Sequence, residues 1–248
     1  MENVLLKIQN LKKYYTVGKR TVKALEDVTF DIYKGEVISL LGVNGAGKTT
    51  LSSILVTLHP ATSGDILLNG ESIYKDVNEF RKIIGYCPQK PNVIRDLTVE
   101  QNLTFAGMYY GFSKQEVKQR VDELIKKYDL CKYRHMKPYV LSGGYMRRLL
   151  IARSLMSNPK ILILDEPTVG LDSNVRRKIW ENIKDLKNLG VTVILTSHYL
   201  DEIEVLSDRV VLLHKGRVKL IDTPKNLMRD FKKSRLEDVF VQLIEEEA

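Results

Sequence analysis

Gly42-Val43-Asn44-Gly45-Ala46-Gly47-Lys48-Thr49-Thr50 has the spacing GxxxxGK[ST], and its flanks decide what that spacing means. Upstream, residues 37–41 (VISLL) form an unbroken apolar run that reads as a buried strand. Downstream, Leu51, Ile54, Leu55 and Leu58 recur at helical intervals. Strand, glycine loop and helix in that order make a phosphate cradle. Glycines at 42, 45 and 47 let the backbone curl until several N–H groups converge on one anion. The helix starting near Lys48 brings its positive dipole end to the same point. Lys48 then reaches β- and γ-phosphates, and the Thr49 hydroxyl is a ligand for Mg2+. The stretch predicts a nucleoside triphosphate site.

Two other apolar runs answer it. ILIL at 161–164 shows no alternation, which predicts a central parallel strand buried on both faces. Asp165-Glu166-Pro167 follows, so paired carboxylates emerge at the carboxyl end of that strand. Asp165 is expected to hold Mg2+ directly or through water, and Glu166 to polarise the water that attacks the γ-phosphorus. Residues 191–196 are the next buried strand, with Ser197-His198 at its carboxyl end. That position turns His198 toward the γ-phosphate beside Glu166. A third strand, 83–87, ends in Pro88-Gln89, again where open α/β sheets bind ligands.

The remaining segments read as support. Residues 4–11 and 22–32 alternate as strands around a hairpin loop at 16–21 that holds Gly18. Tyr14 and Tyr15 stand just before that loop, where a base-stacking ring and a sheet-packing ring both fit. Residues 65–69 form a strand ending in the hairpin signal Asn69-Gly70. From Arg95 the texture turns helical. Thr98 with Gln101 and Ser113 with Glu116 are two capping boxes, and Val117, Val121, Leu124, Ile125 and Tyr128 share one helix face. This block, 95–157, interrupts a strand–helix alternation and is expected to be a subdomain with its own small core. It ends in Leu141-Ser142-Gly143-Gly144-Tyr145, before a helix expected over 146–156. Free N–H groups at that helix start predict a second anion site. Leu171-Asp172-Ser173 opens a long helix, and a last hairpin turns on Lys215-Gly216.

Composition sets bounds. With 44% hydrophobic residues over 248, the chain can bury a substantial core. No apolar run reaches the length of a membrane span and no signal segment opens the chain, so a cytoplasmic location is expected. Cys87 and Cys131 lack the spacing of a disulfide framework or a zinc site. The net charge of +8 is scattered in short clusters such as Arg147-Arg148, which read as solvated faces; nucleic-acid binding is not expected.

The order GVNGAGKTT, Gln89, LSGGY, ILILDEP, Leu171-Asp172, His198 resembles the nucleotide-binding subunit of ATP-binding-cassette (ABC) transporters, over residues 4–222. The resemblance implies an α/β fold of the P-loop NTPase kind, RecA-like and mostly parallel. An antiparallel β subdomain and the inserted α-helical subdomain complete it. One ATPase domain would span 1–222, its core at 1–94 and 158–222, with a helical tail at 223–248. By resemblance, Tyr15 stacks on adenine, and residues 42–50, including Asn44, Ala46 and Thr50, form the Walker A loop. Gln89 is the Q-loop residue that reaches Mg2+, and Ser142, Gly143 and Gly144 are the signature that meets ATP on another subunit. Asp165 closes Walker B, Glu166 is the catalytic base, Asp172 lies in the D-loop and His198 is the switch histidine. ATP and Mg2+ are the implied ligands. The implied partners are a second nucleotide-binding subunit, identical or related, and transmembrane permease subunits on a separate chain. The protein would then sit peripherally on the cytoplasmic face of the membrane. Tyr145 departs from the usual signature Gln, which implies altered contacts to the ribose or the partner subunit. Val169-Gly170-Leu171-Asp172 and the LEDVF stretch at 236–240 are similar to ABC-2-type exporter ATPases. A soluble ABC-type ATPase serving iron–sulfur assembly, translation or DNA repair is the alternative use of the same motifs.

Overall fold

The computed structural model describes residues 3–18 and 20–245. Lys19, in the expected hairpin loop, and the last three residues of the expected tail lie outside the described residues.

The chain opens with β1 (Val4–Val17) and β2 (Arg20–Tyr33), paired antiparallel. Both strands run further into the connection than alternation indicated, because Thr16↔Thr21 and Val17↔Arg20 continue the ladder. β3 (Val37–Leu41) leads through the glycine loop into α1 (Lys48–Leu55). β4 (Ser63–Leu68) and β5 (Glu71–Ser72) follow and complete a sheet of order β2-β1-β4-β5. Asn69 and Gly70, at φ 50° and 89°, supply the two positive-φ positions that a tight hairpin requires. α2 (Val77–Lys82), capped by Asp76, buries only Phe80. One anchoring side chain leaves no periodicity to read, so this helix had no counterpart in the sequence analysis.

After β6 (Ile84–Cys87) come the helical block, α3 (Val99–Tyr109), α4 (Lys114–Lys127) and α5 (Gly143–Ser154), and then β7 (Ile161–Asp165). α6 (Ser173–Asn188), β8 (Thr192–Thr196), α7 (Leu200–Leu206), β9 (Arg209–His214) and β10 (Arg217–Asp222) follow. The second sheet has the order β10-β9-β3-β8-β7-β6. Its strands from β9 to β6 pair in parallel, and β10 is an antiparallel edge. Every residue of β3, β7 and β8 is buried, as a parallel sheet covered on both faces demands. The carboxyl ends of these strands therefore open together on one side.

Both capping boxes are formed, but the helical block has no core of its own. Val99, Leu103, Val121 and Ile125 share one apolar cluster with Leu162, Leu164, Val193 and Leu195 of the sheet and with Ile179 and Ile183 of α6. α5 is the reason: six consecutive residues, Arg147 to Ala152, are buried, so it packs on both sides and joins block to sheet. α8 (Pro224–Asp230) and α9 (Leu236–Glu245) cover Leu41, Val210 and Leu212 through Leu227, Leu236 and Val239. Among the described residues, no helix is long and apolar enough to cross a membrane.

Candidate functional site

The glycine loop is held from three directions. A Cβ on Gly42 would meet the Leu213 carbonyl oxygen of β9 at 2.3 Å. Gly47, the N-cap of α1 at φ 108°, lies so close to β2 that a Cβ would meet Ala24 O at 2.8 Å. The Gly216 N–H at the β9–β10 turn donates to Ala46 O at 3.1 Å, while Gly216 O accepts from Glu26 N at 2.7 Å. Lys48 is 8% exposed and donates to Gly42 O at 2.6 Å and Val43 O at 3.2 Å. Its ammonium pKa is lowered by burial, against the pull of Glu166 and Asp165.

A cleft of about 510 Å³ opens over this loop. Asn44, Gly45, Ala46, Gly47, Lys48, Thr49 and Thr50 form its floor, and Gln89, Asp165, Glu166 and His198 come in from the strand ends. Asp165 and Glu166 are 6% and 5% exposed. Thr196 Oγ1 donates to Asp165 Oδ1 at 2.5 Å. Glu166 takes φ 51°, and its N–H donates to Thr196 O and Oγ1, each at 3.1 Å. His198 clasps the Glu166 carboxyl twice, by its N–H to Oε2 at 3.3 Å and by Nε2 to Oε1 at 2.9 Å. Burial pushes the Glu166 carboxyl up to about 7 and, with Lys48, pushes the His198 imidazole down. A carboxyl poised near neutrality beside a neutral imidazole suits general-base chemistry. The Asp165 carboxylate, Thr49 hydroxyl and Gln89 amide are hard oxygen donors on one cleft. They fit Mg2+, which takes one or two protein carboxylates and completes its shell with phosphate and water.

Not every expected residue lines the cleft. Gly42 lies behind the loop, and Tyr15 is outside the lining. Tyr15 does stand directly opposite Val22 in the β1–β2 ladder, and Val22 is part of the outer wall with Lys23 and Ala24. Ser142, Gly143, Gly144 and Asp172 are also absent from this cleft. Helix α5 begins at Gly143, three residues before the expected start, because neither signature glycine takes positive φ. Ser142 is its N-cap, exposed and without a side-chain capping bond. Asp172 caps α6 by accepting from the Asn174 and Val175 N–H groups at 3.1 and 3.0 Å. The two helix starts touch: a Cβ on Gly144 would meet Val175 Cγ1 at 3.0 Å. Tyr145 turns into the helical block, its ring 4.5 Å from Tyr133 and 4.9 Å from the Arg148 guanidinium.

Three features escaped the sequence analysis. Thr196 looked no different from Thr192 at the other end of the same strand, and its bond to Asp165 depends on the neighbouring strand. The outer wall of Val22, Lys23 and Ala24 carried no signal. Arg147 and Arg148, read as solvated, are each 7% exposed. Arg147 reaches from the signature helix to Pro88 O at 2.9 Å and Gln89 O at 3.2 Å, bolting that helix to the Gln89 loop. Arg147→Met keeps the stem but leaves those carbonyls without their donor. It is expected to cost about 2 kcal/mol, or about 4 to 8 °C in Tm by thermal unfolding. An unchanged Tm would mean that the clamp carries no weight.

Comparison with known proteins agrees with this geometry. The ABC transporter family profile matches residues 25–169. The chain is 38% identical over 226 residues to ATP-binding cassette sub-family A member 17 of Rattus norvegicus, covering 91% of this chain but only 13% of that protein. It is 40% identical over 223 residues to the linearmycin resistance ATP-binding protein LnrL of Bacillus subtilis (strain 168), covering 90% of this chain and 70% of that protein. A solved structure described as a dimeric post-hydrolysis state of the ATP-binding cassette MJ0796 bound to ADP and Pi superposes with a TM-score of 0.81. It is 31% identical and the match covers 88% of this chain and 98% of that one. A family match over more than half of the residues, and a cleft whose floor and carboxylates lie inside the matched span or on the strand beside it, lead to one assignment: the chain belongs to the ABC transporter family, in its ATP-binding part.

Proposed function

We propose that this chain binds Mg·ATP, hydrolyses it, and drives an ABC-2-type exporter through ATP-dependent head-to-tail pairing of two such subunits. The observation that carries the hydrolysis is the buried Glu166 carboxyl, clasped by His198 and facing the phosphate loop. In the step itself, a water oxygen bonds to the γ-phosphorus while the bond to the β–γ bridging oxygen breaks. The water proton passes to Glu166, and ADP and phosphate remain. Lys48 and the loop N–H groups gather the negative charge that develops. Asp165, Thr49 and Gln89 would hold Mg2+, which neutralises phosphate charge when bound. Tyr15, across the ladder from Val22 of the outer wall, would stack on the adenine.

Pairing is supported by what the cleft lacks. Ser142 and Gly143 are exposed, stand beside the start of α6, and line no part of this chain's own cleft. In a two-fold pair each subunit would offer that corner to the γ-phosphate held by the other. Hydrolysis leaves two anions where one bridging group had been, which favours opening. The description of the MJ0796 cassette as a dimer with ADP and Pi supports this cycle, and the name of LnrL supports export.

An apolar groove of about 350 Å³ lies between the end of α1, β6 and α3. Leu58 is 59% exposed, Phe105 51% and Tyr109 77%. That much aromatic surface beside the Gln89 loop suits a cytoplasmic helix of the membrane subunit. The test is to purify the chain with that membrane protein and measure Mg·ATP hydrolysis by the complex. Tyr109→Glu should abolish co-purification and leave ATP affinity within about twofold, since a buried aromatic anchor is worth 2 kcal/mol or more. Undiminished co-purification would place the membrane contact elsewhere.

A further inference from the structure

Glu202, on α7, is a carboxyl that the proposed chemistry does not use, yet it is fully buried at 0% exposure. Its Oε1 accepts from Thr168 Oγ1 at 2.9 Å and from the indole N–H of Trp180 at 2.7 Å. Its Oε2 is buried without a closed hydrogen bond, although the Ser197 hydroxyl faces the same carboxyl. Arg176 covers the cluster, stacked 5.2 Å over Trp180 and paired with Asp201 at 2.9 Å. A buried carboxyl that served packing alone would be a poor choice, because an apolar side chain of similar volume does that as well or better.

Its three neighbours sit on three parts of the site. Thr168 is two residues beyond Glu166 on the loop leaving β7, and it is itself fully buried. Ser197 immediately precedes His198. Trp180 is on α6, whose first turn carries Val175 against the signature glycine Gly144. Resting on the ATPase reading above, we propose that Glu202 is a positioning residue for hydrolysis. Through Thr168 and the Ser197 side of the switch loop it holds Glu166 and His198 at contact distance, and through Trp180 it ties that pair to the helix beside the signature corner. A displacement of about 1 Å in a reacting pair can cost a hundredfold in rate, so a tie of this kind acts on turnover and leaves the phosphate loop alone.

The experiment compares wild type, Glu166→Gln, Glu202→Gln, Thr168→Val, Thr168→Ser and the Glu202→Gln/Thr168→Val double variant, each as the full chain with its membrane partner. Glu202→Gln and Thr168→Val are expected to lower kcat about tenfold or more, with KM and equilibrium ATP affinity within about twofold. Thr168→Ser, which keeps the hydroxyl, should restore most of what Thr168→Val loses. The Glu202→Gln/Thr168→Val double variant should be no worse than the lower single, because both cut one network. A kcat within about twofold of wild type in both single variants, whatever their Tm, overturns the proposal, as does ATP affinity falling in step with kcat. If Glu202→Gln does not fold, the Thr168 pair decides alone. A wild-type complex that hydrolyses no ATP removes the ATPase reading and this inference together. An active wild type, a dead Glu166→Gln and unaffected Glu202 and Thr168 variants remove the inference only.

Discussion

Glu166→Gln is expected to bind ATP as tightly as the unaltered chain and to turn it over roughly a hundred- to ten-thousandfold more slowly, the range a lost general base spans. Gln has the volume of Glu and the same tolerance for φ 51°, so the turn after β7 is undisturbed. Its amide oxygen can still accept from the His198 N–H, which lies 3.3 Å from Glu166 Oε2. What disappears is the proton acceptor. Burial holds that carboxyl up at about 7, so near neutral pH it takes a proton from water more readily than an exposed carboxylate would. The groups proposed to bind ATP, from Asn44 to Thr50, line the floor of the cleft apart from this carboxyl, and their affinity should be kept. Because the bridging charge then persists, light scattering should find this variant as a dimer in ATP and a monomer without it. Wild-type turnover in the variant would show that Glu166 is not the base.

How far the site could be read in advance follows from the range of the forces involved. The phosphate loop, both capping boxes and the buried strands are decided by neighbours a few residues apart, and periodicity and spacing carried them. The carboxylates and His198 were reachable because a parallel sheet delivers its strand ends to one side, so three distant motifs fall on one cleft. The failures are tertiary. Nothing local distinguishes Arg147 and Arg148 from solvated arginines; their burial depends on carbonyls of the Gln89 loop and on the rings packed around them. The helical block was expected to enclose a core of its own. Instead its apolar faces and the upper face of the sheet are one cluster, which only the two-sided burial of α5 makes possible. Tyr145 illustrates the same limit. The departure from Gln was legible, but the packing of the ring against Tyr133 was not.

The second large effect separates a site completed by another subunit from one completed within a chain. Ser142→Glu, combined with Glu166→Gln, should bind ATP with unchanged affinity and yet stay monomeric at ATP concentrations that fully pair Glu166→Gln alone. The serine makes no capping bond in this structure and is exposed, so its loss removes nothing that α5 depends on. A carboxylate there is if anything favourable to the helix, whose first turn carries unpaired N–H groups and the positive dipole end. Ser142 is also outside the cleft over the chain's own phosphate loop, so ATP binding to a single subunit does not sense the change. In a head-to-tail pair the same carboxylate would face the γ-phosphate of the opposite subunit. Like charges forced together cost several kcal/mol, and a symmetric pair incurs that cost at both sites. At 1.4 kcal/mol per factor of ten, dimerisation weakens by well over a hundredfold, enough to abolish it at micromolar protein. A double variant that still dimerises in ATP would mean that the signature corner meets no phosphate. A double variant that loses ATP binding as a monomer would mean that the corner belongs to its own chain's site.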